Sequence, residues 1–194
     1  LLRALEGDLH APGRHRELFA LGALGFAGFN LLSYVGLEHT HPQNAALIIA
    51  LQPLLTALGL WVITRRRPTR HIFAAMAIAL LGVMLVITKG KPGSLFGGEG
   101  HAGELLVLIG SICWVGYTLG ARRFADFSAL RYTAFSAAYG TLAIVAVAAI
   151  VALAGGARVD PGGGLWWQTL YVILIGGVLA VLGWNEGVRR IGAA

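Results

Sequence analysis

Six uncharged apolar runs constrain this chain more than anything else in it: Leu18 to Leu37, Asn44 to Thr64, Ile72 to Thr88, Leu105 to Ala121, Tyr132 to Ala154 and Leu165 to Asn185. Together they hold 119 of the 194 residues, and none of those 119 is Asp, Glu, Lys, Arg or His. A bilayer core about 30 Å thick accommodates roughly 17 to 25 such residues as one helix. In water, six helices apolar on every side and joined by short connectors would leave nothing to form a polar surface. Overall composition agrees, since only 12% of residues are charged, half the roughly 25% of soluble domains. The expected fold is therefore an all-α polytopic membrane protein with six transmembrane helices.

The net charge of +6 would suit a nucleic-acid partner only if it formed a solvated basic face. Its distribution points elsewhere. Arg3, Arg14 and Arg16, then Arg65, Arg66, Arg67 and Arg70, then Arg122, Arg123 and Arg131, and finally Arg189 and Arg190 all fall on one set of alternate connectors. Only Lys89, Lys91 and Arg158 fall on the other. Cytoplasmic connectors collect Lys and Arg, so both ends of the sequence are expected in the cytoplasm of a bacterial inner (plasma) membrane, with the lipid bilayer rather than nucleic acid as partner. The sequence starts at Leu1 and stops just after Arg190, and it reads as a fragment of a longer protein.

Small residues at four-residue spacing let helix backbones approach where lipid supplies little hydrophobic drive. Gly116 with Gly120, Gly183 with Gly187, Ala75 with Ala79, Ala46 with Ala50, and the strip Gly22, Gly25 and Gly28 are the expected contact faces. Gly97, Gly98, Gly100 and Gly162 to Gly164 read as turns, and no phosphate-cradling loop follows a strand. Glu17 and Glu104 stand in first helical turns, where a carboxylate caps free N–H groups. Glu186 lies near enough to Arg189 and Arg190 for a headgroup-level ion pair.

Polar side chains inside the spans are costly against lipid and tend to face the bundle or a wet cavity. Asn30, Tyr34, Gln52, Trp114, Tyr117, Trp184 and Asn185 are the expected lining of a solute path; for most of them interhelical hydrogen bonding explains the sequence equally well. Pro53 lacks an N–H and is expected to bend its helix. Tyr132, Trp166, Trp167 and Tyr171 lie near span ends and read as interfacial anchors. Ser111, Ser136, Thr56 and Thr118 can bond their own helix carbonyls, and Cys113 reads as a small apolar filler. His39 and His41 have a metal-compatible spacing but lack further ligands. The sequence offers no catalytic constellation, no metal site and no cofactor motif, so an enzyme is not expected.

At His41 to Gly90 the chain reads HPQNAALIIALQPLLTALGLWVITRRRPTRHIFAAMAIALLGVMLVITKG. Small residues lead into a helix with a central Pro, an Arg-Pro-Thr turn follows, and the next helix closes on Gly82, Val83 and Leu85. This resembles the EamA family of the drug/metabolite transporter superfamily, as do GFAGFNLLSYVGLEHT, GELLVLIGSICWVGYTLGARRF and GGVLAVLGWNEGVRRIGAA. The resemblance departs at Arg65 and Arg66, where family members usually carry Gly-Glu. It implies a ten-helix inverted-repeat bundle of which helices three to eight are present. Residues 1–90 would then be the C-terminal part of the first repeat and residues 101–194 the N-terminal part of the second. A shift of 151 residues pairs Gly25 with Gly176, Leu31 with Leu182 and Gly36 with Gly187. Spans five crossings apart run in opposite directions, so such a repeat is inverted and supports alternating access. The function this implies is secondary transport of a small metabolite or amino-acid-like solute, in the direction of export. The alternative is a membrane-embedded enzyme or lipid-handling protein whose active residues lie in other helices. Oligomeric state is not legible.

Overall fold

The computed structural model describes residues 13–65, 67–88, 90, 101–156 and 165–191. Arg3, Arg66, Lys89, Lys91, Arg158 and the glycines read as turns, Gly97, Gly98, Gly100 and Gly162 to Gly164, lie outside the described residues, as does the side chain of Arg189. Among those described, every regular element is helical. Helix α1 is His15–Leu37 and α2 is Pro42–Thr64; α3 is Arg70–Ile87. Helix α4 is Ala102–Gly120, extended by the tighter turn Ala121–Phe124, and α5 is Ala129–Leu153. Helix α6 passes through Leu165–Tyr171, Val172–Leu179 and Ala180–Ile191. Five of these have the length and apolarity to cross a membrane, while the apolar stretch of α3, Arg70–Leu85, is shorter.

Local chemistry sets several helix ends. Pro42 opens α2 at a position where its missing N–H costs nothing. The Ser128 hydroxyl accepts from the Arg131 N–H at 3.0 Å and caps α5. Helix α2 stops at Arg65, which adopts φ 58° and ψ 9°; this left-handed conformation is costly for any residue with a Cβ. Within α2 the helix is interrupted at Leu51, two residues before Pro53.

Helix α4 is the centre of the bundle. It packs on α1 and α2, α1 also packs on α5, and α6 reaches α5 through its Ala180–Ile191 part. Glycines permit the closest approaches. A Cβ on Gly103 would lie 2.7 Å from the Gly36 carbonyl oxygen, and one on Gly140 would lie 2.7 Å from that of Gly22. At Gly116 and Gly120 the space is filled by Leu24 and Leu21 of α1. The other expected strips behave differently. Gly183 and Gly187 meet nothing within 4 Å among the described residues. Ala46 and Ala50 are exposed while Ala45 and Ile48 are buried, because α4 lies against the adjacent stripe of α2.

These contacts also fix direction. Gly36 meets Gly103, while Arg14 at the other end of α1 donates to Asp126 Oδ1 at 2.9 Å, so α1 and α4 are antiparallel. Asn44 bonds Glu104 and Gly59 meets Leu119, so α2 and α4 are parallel. The described arginine-bearing helix ends thus collect at one end of the bundle. There Arg14 also donates to the Arg123 carbonyl and lies 3.9 Å over the Phe124 ring. The Arg14 hydrogen bond holds the exposed Asp126 carboxyl below its ordinary range. At the opposite end Glu104 accepts from Thr40 Oγ1 at 2.6 Å and Asn44 Nδ2 at 3.0 Å. It ties the α1–α2 turn to α4, where the sequence suggested only a helix cap.

Candidate functional site: a buried amide and aromatic cluster

Four of the seven residues expected along a solute path meet at the arginine-rich end of the bundle. Trp114 and Tyr117 come from α4, and Trp184 and Asn185 from α6. Their spacing on α4, with Thr118 beside them, points one stripe at α1, α5 and α6. Tyr117 is completely buried. Its hydroxyl accepts from Asn185 Nδ2 at 2.8 Å and lies 3.4 Å from Ser136 Oγ. The same Asn185 amide donates to Thr133 Oγ1, and the Thr133 hydroxyl donates to the Ala129 carbonyl at 2.7 Å. Trp184 Nε1 donates to Thr118 Oγ1 at 3.3 Å, and its ring lies 6.4 Å from that of Trp114. Phe26 and Phe29 of α1 close the other side, 6.1 Å and 5.4 Å from the Trp114 ring.

Tyr117, Thr133, Ser136 and Asn185 are buried and hydrogen-bonded to one another or to helix carbonyls, which is what burial of amides and hydroxyls requires. Tyr117 stands five residues before Arg122, so at 1.5 Å per residue the cluster lies about 7 Å inside the arginine-bearing surface. Side chains from α1, α4, α5 and α6 meet there and bury the network between them.

Asn30, Tyr34 and Gln52 do not join it. Asn30 Nδ2 bonds the Phe26 carbonyl of its own helix at 2.7 Å, and Tyr34 is 58% exposed. Gln52 is buried on α2, and its Nε2 has no hydrogen-bond partner among the described residues, as is also true of Ser33 Oγ and Ser111 Oγ. Such an unpaired buried group costs roughly 1–3 kcal/mol. Thr56 and Ser136 bond their own helix carbonyls at 2.7 Å and 2.6 Å, but Thr118 accepts from another helix and Ser111 Oγ has no partner among the described residues.

Tyr132 requires a correction. It is not an interfacial anchor: it is 3% exposed, stacks on Tyr117 with ring centroids 5.1 Å apart, and donates to the Tyr117 carbonyl at 2.8 Å. Position near a span end does not distinguish an inward from an outward face. Trp166, Trp167 and Tyr171 are exposed. Thr133 belongs to the cluster and escaped the sequence reading, although it precedes Ser136 by three residues and shares its face. Glu186 pairs with Arg190 Nε at 2.6 Å. His39 and His41 gain no further ligands, and no group of three metal-ligating side chains is assembled among the described residues.

Apolar helices that expose Ile78, Leu81, Leu142 and Ile150 outward and bury amides, hydroxyls and indoles inward define a multi-pass α-helical membrane protein. Comparison with known proteins narrows the class. The sequence profile described as the EamA-like transporter family matches residues 5–88 and again residues 101–194. The chain belongs to that family. It is 33% identical over 175 residues to a Bacillus subtilis (strain 168) protein named as the uncharacterized transporter YyaM, covering 90% of this chain and 57% of that one. It is 28% identical over 197 residues to YrdR of the same organism, likewise named an uncharacterized transporter, covering 97% and 61%. The chain therefore spans about three fifths of the length of these relatives. A solved crystal structure shares the fold with a TM-score of 0.65 at 24% identity, covering 98% of this chain and 66% of that one.

Proposed function

We propose that the chain is part of a secondary transporter that moves a small metabolite or amino-acid-like solute by alternating access, in the direction of export from a bacterial cytoplasm. The observation that carries this reading is the Tyr117–Asn185–Thr133 network: a buried, uncharged plug drawn from three helices just inside the arginine-rich end. Nine of the fifteen basic residues, Arg14, Arg16, Arg65, Arg67, Arg70, Arg122, Arg123, Arg131 and Arg190, are described at that end, which supports a cytoplasmic assignment. On this reading the plug is the cytoplasmic gate in its closed form. The amides and indoles would meet solute when it opens, orienting it by hydrogen bonds against an apolar wall. Gln52 Nε2, buried and unpaired, is the state expected of a donor reserved for cargo or water. Pro53, beside the interruption at Leu51, would let α2 flex.

We further propose that residues 1–90 and 101–194 are parts of two inverted repeats within a ten-helix bundle. Supporting this, α1 and α6 each contain a widened π-helical segment, Ala23–Gly28 and Val172–Leu179. The 151-residue shift carries the first onto 174–179, inside the second. Such segments recur at functional positions in helices, and two related arrangements that exchange open faces are the basis of alternating access.

The test is solute flux into liposomes holding the complete transporter, with a panel of amino acids and related amphiphiles. The expected result is saturable flux for at least one solute, strongly reduced by Asn185→Leu. Correctly inserted protein that gives no flux for any solute would overturn the proposal.

A further inference from the structure

A cavity of about 630 Å³ opens at the arginine-rich end, apart from the plug, between α2, the Arg-Pro-Thr connector, the start of α3 and the residues after α4. Its polar lining includes Arg67, Thr69 and Arg122; its apolar lining includes Leu60, Trp61 and Ile72. Trp61 is held in place by an edge-on contact with Phe73 at 5.5 Å. Among the described residues no carboxylate lines the cavity, and neither Arg67 nor Arg122 has an ion-pair partner. Two arginines from separate connectors thus line one space that holds no carboxylate among the described residues. The first turn of α3, beginning at Arg70, adds the positive end of an 18-residue helix.

We propose that this cavity binds a phosphate-bearing anion, with Arg67 and Arg122 as the phosphate ligands and Trp61, Leu60 and Ile72 as the wall for an attached apolar or glycerol portion. Guanidinium forks match phosphate oxygens bidentately. A tryptophan one side of a cationic pair, at the level where helices meet headgroups, suits a molecule that is charged at one end and greasy at the other. The chemistry is that of an anionic phospholipid headgroup or of a free phosphate compound. It is independent of which solute the plug admits, and it places a ligand between α2 and α4, two helices that must shift relative to each other if the bundle rocks.

The experiment is native mass spectrometry of the detergent-solubilised protein given phosphatidylglycerol and phosphatidylcholine of identical acyl chains. Preferential retention of phosphatidylglycerol is expected, weakened roughly ten- to thirtyfold by the double variant Arg67→Gln/Arg122→Gln and unchanged by Arg16→Gln, an exposed arginine of the same end outside the cavity. The Arg67→Lys/Arg122→Lys pair retains charge and guards against a folding defect: it should keep part of the preference. Inorganic phosphate separates the sources. Binding of phosphate with displacement of the lipid assigns the site to free phosphate compounds; retention of lipid in its presence assigns it to the headgroup. Equal retention of the two lipids together with no phosphate binding overturns the proposal, as does an equal loss from Arg16→Gln.

Discussion

Gly22→Ala isolates what holds α1 to α5. A Cβ at Gly22 would overlap the Ser136 carbonyl oxygen and lie 3.0 Å from the Ser136 carbonyl carbon and 3.1 Å from the Gly140 nitrogen. All three atoms are backbone, so no rotamer change relieves the overlap and the helices must move apart. Overpacking of this kind costs about 1–3 kcal/mol, and immovable neighbours put this case in the upper half. Replacing Gly by Ala in a helix returns about 1 kcal/mol, leaving a net loss of about 1–2 kcal/mol. Gly183→Ala is the matched control, because its Cβ meets nothing within 4 Å and only the propensity gain of up to about 1 kcal/mol remains. The chain's single cysteine, Cys113, lies on α4 beside Gly28 of α1, so a thiol-reactive fluorogenic dye reports separation of these helices during a denaturant titration in detergent. The two alanines should move the midpoint in opposite directions, with a total separation of about 2–3 kcal/mol. Coincident shifts, or an unchanged midpoint for Gly22→Ala, would refute the claim that backbone contact at Gly22 fixes the α1–α5 spacing.

Three other outcomes follow from single contacts. Tyr117→Phe and Asn185→Ala should each lower stability by about 1–2 kcal/mol, and a double-mutant cycle should return a favourable coupling near 1 kcal/mol because the 2.8 Å bond between them is shared; strict additivity would contradict the network. Arg65→Gly should raise stability by about 1 kcal/mol by removing the Cβ from a left-handed helix end, measured by the same titration. For Asp126, whose carboxyl is held low chiefly by the Arg14 hydrogen bond, the stabilising contact is complete above the ordinary carboxylate range and is lost as pH falls through the depressed value. Wild type and Asp126→Asn should therefore differ in thermal midpoint at neutral pH and converge in acid, and a difference that persisted unchanged in acid would exclude the carboxylate as its source.

The helices and their alternation were legible because hydrocarbon leaves a backbone no choice but to satisfy its own hydrogen bonds. Uncharged runs of the right length therefore become helices whatever they pack against, and Arg14, Arg65, Arg122 and Arg131 mark one end of the bundle without any knowledge of neighbours. The three- and four-residue spacing of Ser111, Trp114 and Thr118 likewise puts them on one stripe of a helix without knowledge of neighbours. Partner choice was not visible, because a span is apolar on most of its faces and small residues occur on several of them. Gly183 and Gly22 both stand in small-residue strips, yet of the two only Gly22 meets another helix backbone among the described residues. Tyr132 and Trp166 both lie near span ends, but one stacks on Tyr117 and the other faces outward. Amino-acid order decided which segments are helices and which way each one runs. Only the tertiary arrangement decided that Asn185 meets Tyr117 and Thr133 while Tyr34 faces out, because a hydrogen bond between residues 68 positions apart depends on how whole helices are rotated about their axes, which no local pattern encodes.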